Sequence, residues 1–368
     1  MGKTVSELAT LSDDASLWRF GESRRLPIDR WLANSLLQKA IRRGASELAS
    51  AAARTLYDAN PAAVWRRLTG IAFEDIGIAS PDTVVAVTCA CRDGQWRAQM
   101  GGPDLVLTAL ARALAQATKD RSADYLVCAA QKHPAFGDLR DVLKRVPLET
   151  RLKVVSNPAS TLIQRAIATW LSSGIHARYD RPPSDFSLTD LLSAFRAAGV
   201  PEAIAAATGI AAKHTREPIV LMVGPLLLEI LLVPSSTDTT SQSIPETLGP
   251  CGIPLYAVDQ HTRLGHQAFA RVLRQNAAVR AVFGEVPSKA RLRALGVAAF
   301  YVDGAPLSRR MNWARSTELE ALGIEADLLP LGVAVDTIPS LIETVKANID
   351  DLNQIRAKLL AGLVERDA

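Results

Sequence analysis

The chain has 368 residues, 48% of them apolar and 22% charged, which excludes a wholly disordered protein and leaves room for two or three hydrophobic cores. A formal net charge of +4 and an isoelectric point near 8.9 exclude a strongly cationic tail protein but allow local basic patches. Aromatic residues make up only 5%, and alanine is abundant, so helices are favoured over sheets.

Residues 1–26 read as a polar lead-in rather than a secretory signal, since Asp13 and Asp14 fall where an apolar run would stand. Asp29 then caps a helix to about residue 43, with Trp31, Leu32, Leu36, Ala40 and Gly44 on one stripe. Ser35, Lys39, Arg42 and Arg43 face away, and Gly44 stops the helix. This places Trp31 in the bundle core, where its replacement by alanine would cost about 3–5 kcal/mol. A second helix over residues 45–58 repeats Leu48, Ala52 and Leu56 at fourfold spacing. Asn60-Pro61 supplies the cap and first-turn proline of a third, with Val64, Leu68, Ile71 and Ala72 inward, running to Glu74-Asp75 and ending at Gly77. Three helices joined by short turns make a bundle, not a βαβ unit.

Further helices are expected over residues 82–91, after the glycine-rich break 100–103 over 104–119, then over 123–131, 160–171 and 188–198. The longest apolar run, residues 219–233, is interrupted by Pro225 and Glu229 and falls short of the roughly twenty residues of a membrane span. It and residues 255–258 fit buried helix or strand equally well. Residues 234–254, rich in Ser, Thr, Pro and Gly, read as a linker, with helices beyond it over 263–274, 289–301 and 339–363. The fold class is therefore mostly α: a multi-helix bundle followed by a second mainly helical domain, with room for a few short strands.

Signals for chemistry are sparse. Gly2-Lys3-Thr4 imitates the end of a phosphate loop but lacks the upstream glycines and launching strand that let backbone amides wrap phosphates. The chain is thus expected neither to bind ATP tightly nor to hydrolyse it. Cys89, Cys91, Cys128 and Cys251 are too few for a disulfide framework, and no histidine stands at zinc-ligand spacing beside the close pair, so a reduced cytoplasmic setting without metal or cofactor is expected.

The most informative stretches are LLQKAIRRG (residues 36–44), WRRLTGIAFEDIGIASP (65–81) and GGPDLVLTALARALAQATKDRSADYL (101–126). In order and spacing they resemble the C-terminal region of the RarA/MgsA family of AAA+ ATPases, relatives of the clamp-loader subunits. That region carries a Q-K-x-I-R-x-[GS] helix, an R-R-L-x-x-x-A-x-E-D-I-G-x-A-x-P helix end, a G-x-P-E helix and a P-K-S-N-x-A-Y turn. Here Gly102-Pro103-Asp104 stands at the G-x-P-E position, and residues 119–125 depart from the last motif at several places. The resemblance covers about a quarter of the chain, and the ATPase module is missing from it. It implies a collar-like helical domain, placed over residues 27–145; the helical pattern continues it over 146–233 and sets 255–368 apart as a C-terminal helical domain after the linker. It also implies self-assembly as a dimer or tetramer, and work in DNA replication or repair with DNA or an AAA+ ATPase as partner; no membrane partner is expected.

The charge pattern adds a phosphate-contacting surface to these expectations. Residues 24–67 carry nine Lys/Arg against three Asp/Glu, residues 263–315 ten against two, and residues 317–351 eight acids against one lysine. Lys39, Arg42, Arg43, Arg66, Arg67, Arg263, Arg309 and Arg310 are the residues this nominates for DNA. Glu74 and Asp75 sit at a helix end that disfavours negative charge, so they are expected in structural ion pairs with the arginines nearby. Two rivals stand beside the non-catalytic accessory reading: a protein-interaction scaffold without a DNA role, and an enzyme with its site near Asp259, His261, Arg263 and His266, where Thr262 caps a helix.

Overall fold

The computed structural model describes residues 25–175, 183–233 and 236–367, with side chains described as far as 362. The lead-in expected over 1–26 and the Gly2-Lys3-Thr4 sequence therefore lie almost wholly or wholly outside the described residues. Among the described residues the structure is 74% helical, with nineteen α-helices and one two-stranded sheet.

The first three helices follow their local signals. In α1 (Arg30–Arg43) the Asp29 carboxylate accepts from the amides of Trp31 and Leu32, and Gly44 closes the far end at φ 74°. After α2 (Ser46–Ala59), the Asn60 side chain caps α3 (Pro61–Ile71) by accepting from the Ala63 amide, satisfying an orphan donor of its first turn. A π turn, Ala72–Ile76, carries Glu74 and Asp75 and ends at Gly77. The bundle continues through α4 (Pro81–Arg92), α5 (Gly94–Gln99), α6 (Pro103–Gln116), α7 (Ser122–Lys132), α8 (Gly137–Arg145), α9 (Leu148–Ser156), α10 (Leu162–Ser172), α11 (Leu188–Ala197) and α12 (Glu202–Thr215).

The apolar run beginning at Ile219 is helical: a 3-10 turn, Pro218–Leu221, leads into α13 (Val223–Leu232), buried along most of its length. No single helix among the described residues is long and apolar enough to cross a membrane. The stretch read as a linker contributes β1 (Asp238–Ser241), which pairs antiparallel with β2 (Arg309–Asn312). The backbone of Lys119 also bonds β2, its amide donating to Arg309 O and its carbonyl accepting from Met311 N, both at 2.9 Å. Between the strands lie α14 (Arg263–Gln275), α15 (Ala277–Phe283) and α16 (Arg291–Ala299), the last ending in a second π turn, Phe300–Gly304. The chain finishes with α17 (Ser316–Leu328), α18 (Ile338–Ala347) and α19 (Ile349–Asp367); the helix expected over residues 339–363 is broken at Asn348.

Two hydrophobic cores result. The larger runs from Leu32 to Leu228 and takes in Ile253, Leu255, Val258, Met311, Trp313, Leu319 and Leu360 from later in the chain. The smaller is built from α14 to α19, around Phe269, Phe283, Leu295, Leu328 and Leu341. Residues beyond 255 thus fill both, and α17 packs directly on α7.

Two sequence expectations for α1 are corrected. Trp31 is 56% exposed although Leu32 and Ala33 in the same turn are fully buried, because it lies on the face of α1 that lines a cleft with Ser35 and Gln38. Its truncation should leave stability within about 1 kcal/mol in urea unfolding. Lys39 and Arg42 do not face solvent: they are 3% and 2% exposed. The side of α1 opposite α2 is covered by the 3-10 turn Leu255–Ala257, so the polar face of this helix is internal.

Candidate functional site

The polar face of α1 forms one wall of a cleft of about 500 Å³, within the size range of small-molecule sites. Trp31, Ser35, Gln38, Lys39 and Arg42 recur every three or four residues along it, a stripe roughly 16 Å long at 1.5 Å per residue. Arg121, Asp124, Cys128 and Lys132 make a matching stripe on and just before α7. Glu74, Arg67, the segment 259–261, Arg293, Val297, Phe300 and Asp327 complete the lining.

The inner end is a network of buried charge. Asp75 is fully buried; its Oδ1 accepts from Arg42 Nε at 2.7 Å and its Oδ2 from Gln38 Nε2 at 2.9 Å. Arg42 Nη2 donates to Glu74 Oε1 at 2.9 Å, and Nη1 to the Gly304 carbonyl at 2.9 Å, so each nitrogen of its guanidinium has a protein acceptor. The expected ion pairs of Glu74 and Asp75 are thus present. Arg121 stands 3.5 Å from Asp75 Oδ1, pairs with Asp124 and lies 4.9 Å from the Phe300 ring centre.

A second buried pair lies along the same wall. Lys39 Nζ donates to Asp259 Oδ2 at 2.5 Å, to Tyr256 O at 2.7 Å and to Ser35 Oγ at 3.0 Å. Burial alone would raise the Asp259 carboxyl, but Lys39, His261 and Ser35 outweigh it and hold the group at about 2. Its position comes from the start of α14. Thr262 caps that helix, accepting from the Gly265 amide at 3.0 Å and donating to the Asp259 carbonyl at 2.9 Å. Position 265 admits only glycine, because a Cβ there would fall 1.6 Å from the Asp259 carbonyl oxygen.

The eight cations nominated for DNA are thereby divided. Lys39 and Arg42 are internal. Arg43 lies 4.0 Å from the Tyr256 ring centre and donates to the carbonyls of Pro245 and Asp303, and Arg310 pairs with Glu320 at 2.7 Å. Arg67 borders the cleft and bonds Gln38, while Arg66, Arg263 and Arg309 are exposed. The enzyme constellation does not converge either. Asp259 and His261 line this cleft, whereas Arg263 lines a separate groove with Asp29, Gln267, Arg271 and Lys358. No group of three or more His, Cys, Asp or Glu that could hold a metal occurs among the described residues.

Sequence reasoning named Lys39, Arg42, Arg67, Glu74, Asp259 and His261, but at two separate sites. It missed Arg121, Asp124, Lys132, Arg293, Phe300 and Asp327. Arg121 and Asp124 fall inside the stretch 119–125 that carried the last family motif, and reading that stretch position by position would have raised them. The other four lie on ordinary amphipathic helices or their ends and carry no local signal.

Beside the network, Asp120 is 3% exposed, and its carboxylate accepts from Ser122 N at 3.0 Å and Ser122 Oγ at 2.8 Å. Burial outweighs these donors and pushes it up to about 6. The native state therefore keeps a proton that the unfolded chain loses between about pH 4 and 6, and stability from this group falls as pH rises through that window. Asp120→Asn should remove that slope. Urea unfolding of both proteins should show the variant gaining on the order of 2 kcal/mol relative to wild type between pH 4 and 7; parallel pH profiles would contradict this.

Comparisons of the whole chain with protein-family models, curated proteins and solved structures find no match. Fold and site together define a mostly α protein with a charged cleft at the meeting point of its helices.

Proposed function

We propose that this chain is a non-catalytic accessory protein of DNA replication or repair, built on a collar-like bundle, which assembles with copies of itself or docks on an ATPase supplied by another chain. The observation that carries the reading is the meeting of separate motif blocks at one node. Gln38 and Arg42 come from the first block, Glu74 and Asp75 from the second, and Asp120 and Arg121 from the last; the backbone amide of Asp120 donates to Asp75 O at 3.0 Å. The polar residues that give these stretches their resemblance hold one another.

That engagement favours protein docking over phosphate contact, because Arg42 has no nitrogen left without an acceptor. An apolar groove of about 390 Å³ between α17 and α18, lined by Ile324, Val335, Ile338 and Ile342, supplies a surface of the right character, with Val335 51% exposed. Light scattering at micromolar concentration should give a dimer or tetramer, and a clean monomer would count against assembly. In the same preparation, replacing Arg42 and Arg43 by alanine should lower the melting temperature. Any duplex affinity should keep its salt slope; a slope flattened by about two contacts, with melting unchanged, would restore direct DNA binding by these arginines.

A further inference from the structure

We propose that the cleft binds a nucleoside 5′-phosphate, with the phosphate beside Arg121 and Arg67, the base toward the half-exposed Trp31, and the exposed Arg293 on the lining of the same cleft. The site is independent of the assembly reading above and rests on donors that the protein leaves without acceptors. Arg121 is 2% exposed and lines the cleft, yet its Nη1 has no hydrogen-bond partner and its Nε has only the long 3.5 Å ion pair with Asp75. Arg67 Nε is likewise buried and unpartnered. Buried polar groups are almost always bonded, so a guanidinium N–H left without an acceptor marks a place for one. Arg293, exposed on α16, has no carboxylate partner among the described residues, and Lys132 holds Asp327 only loosely at 3.4 Å.

The carboxylates of the cleft do not oppose an anion as free charges. Glu74 is engaged by Arg42, Asp124 by Arg121, and Asp259 by Lys39, while Asp327 accepts from Tyr301 Oη at 3.0 Å. Six lysine and arginine side chains line the space against these four acids. Convergent guanidinium groups approaching from several elements suit the several oxygens of a phosphate, since each can donate a pair of N–H groups in one plane.

The ring platform lies at the other end. Trp31 is 56% exposed and lines the cleft, with the Arg30 guanidinium 4.9 Å from its ring centre. A half-exposed indole beside a charged cleft offers the flat apolar surface on which a base stacks. The roughly 16 Å from the level of Trp31 to that of Arg42 accommodates base, sugar and one phosphate. The same chemistry is presented by a free mononucleotide and by the 5′-phosphorylated end of a single strand.

The test uses the intact chain and follows Trp31 fluorescence and calorimetry with dAMP, a 5′-phosphorylated single-stranded oligonucleotide and its 5′-hydroxyl twin. Saturable binding of dAMP assigns the free nucleotide; binding of the phosphorylated strand over its hydroxyl twin without dAMP binding assigns the strand end, and both support the site. Arg67→Ala should weaken binding about tenfold or more, the loss expected for one charge-assisted hydrogen bond. Arg293→Ala and Trp31→Ala, at exposed positions that leave the fold intact, should each weaken it several-fold, and inorganic phosphate should compete. Absence of binding by all three probes at millimolar concentration overturns the proposal. So does binding that is indifferent to all three variants, or to the 5′-phosphate.

Discussion

Replacing Arg42 with alanine should destabilise the protein by about 3–5 kcal/mol in urea unfolding, the range for removing one partner of a buried ion pair. The reason lies in Asp75, which has no exposure and would keep only Gln38 and a distant Arg121 as partners. Glu74, at the edge of the cleft, retains access to water and adds less. Truncation also removes packing against Phe300, whose ring centre lies 5.2 Å from the Arg42 guanidinium carbon. Because the harm comes from an unpaired buried charge, Asp75→Asn in the Arg42→Ala background should recover part of the loss instead of adding to it, and a double-mutant cycle measures that coupling. Arg66→Ala, a neighbouring exposed arginine, should stay within about 0.5 kcal/mol of wild type. Equal effects at positions 42 and 66 would remove the structural role assigned to the network.

The contrast between Arg42 and Arg66 also marks how far the sequence is legible. Helix ends are read correctly where a local device sets them: the Asp29 carboxylate, Gly44 in its left-handed turn, Asn60 before Pro61, Thr262 before α14. Helices without such a device escape notice. These include the nine-residue α8 and α9; α15, capped by Asn276, is only seven residues long, and α12, rich in alanine, has little contrast between its faces. Periodicity separates the two sides of α1 but not what covers them. The partner of Lys39 lies at Tyr256 and Asp259, more than two hundred residues along the chain, so a charged stripe that reads as solvated is closed by a segment no local pattern connects to it. The same distance explains why the two nominated sites, one near Arg42 and one near Asp259, are a single cleft. Trp31 fails in the opposite sense. It reads as part of the apolar stripe, but in the helix it falls one turn before Ser35 on the polar face, while its neighbour Leu32 is buried.

The Lys39 pair should show its character through pH. In the native protein the Asp259 carboxyl lies at about 2, below the ordinary value near 3.9. A carboxylate depressed on folding contributes stability that is fully present above the unfolded value and is lost as pH falls through the window between about 4 and 2. Lys39→Ala removes the ammonium and leaves Asp259, 7% exposed, with only the Ser35 hydroxyl and the His261 amide as donors. Burial, the largest influence on this carboxyl, is then opposed only by His261 and Ser35 and is expected to lift the group above its unfolded value, so the variant takes up a proton on folding. Its stability from this group should fall, not rise, as pH increases from 4 toward 7. At pH 7 the expected loss is about 3–5 kcal/mol, and it should shrink as the pH approaches 4, where the neutral acid is tolerated. Asp259→Asn in the same background should abolish that dependence, since an amide has no proton to exchange in this range. Urea midpoints for wild type, Lys39→Ala and the double variant at pH 4, 5.5 and 7 give the comparison. A Lys39→Ala loss that stays constant across those three values would show that the lysine contributes packing alone, and that the Asp259 carboxylate reaches water without it.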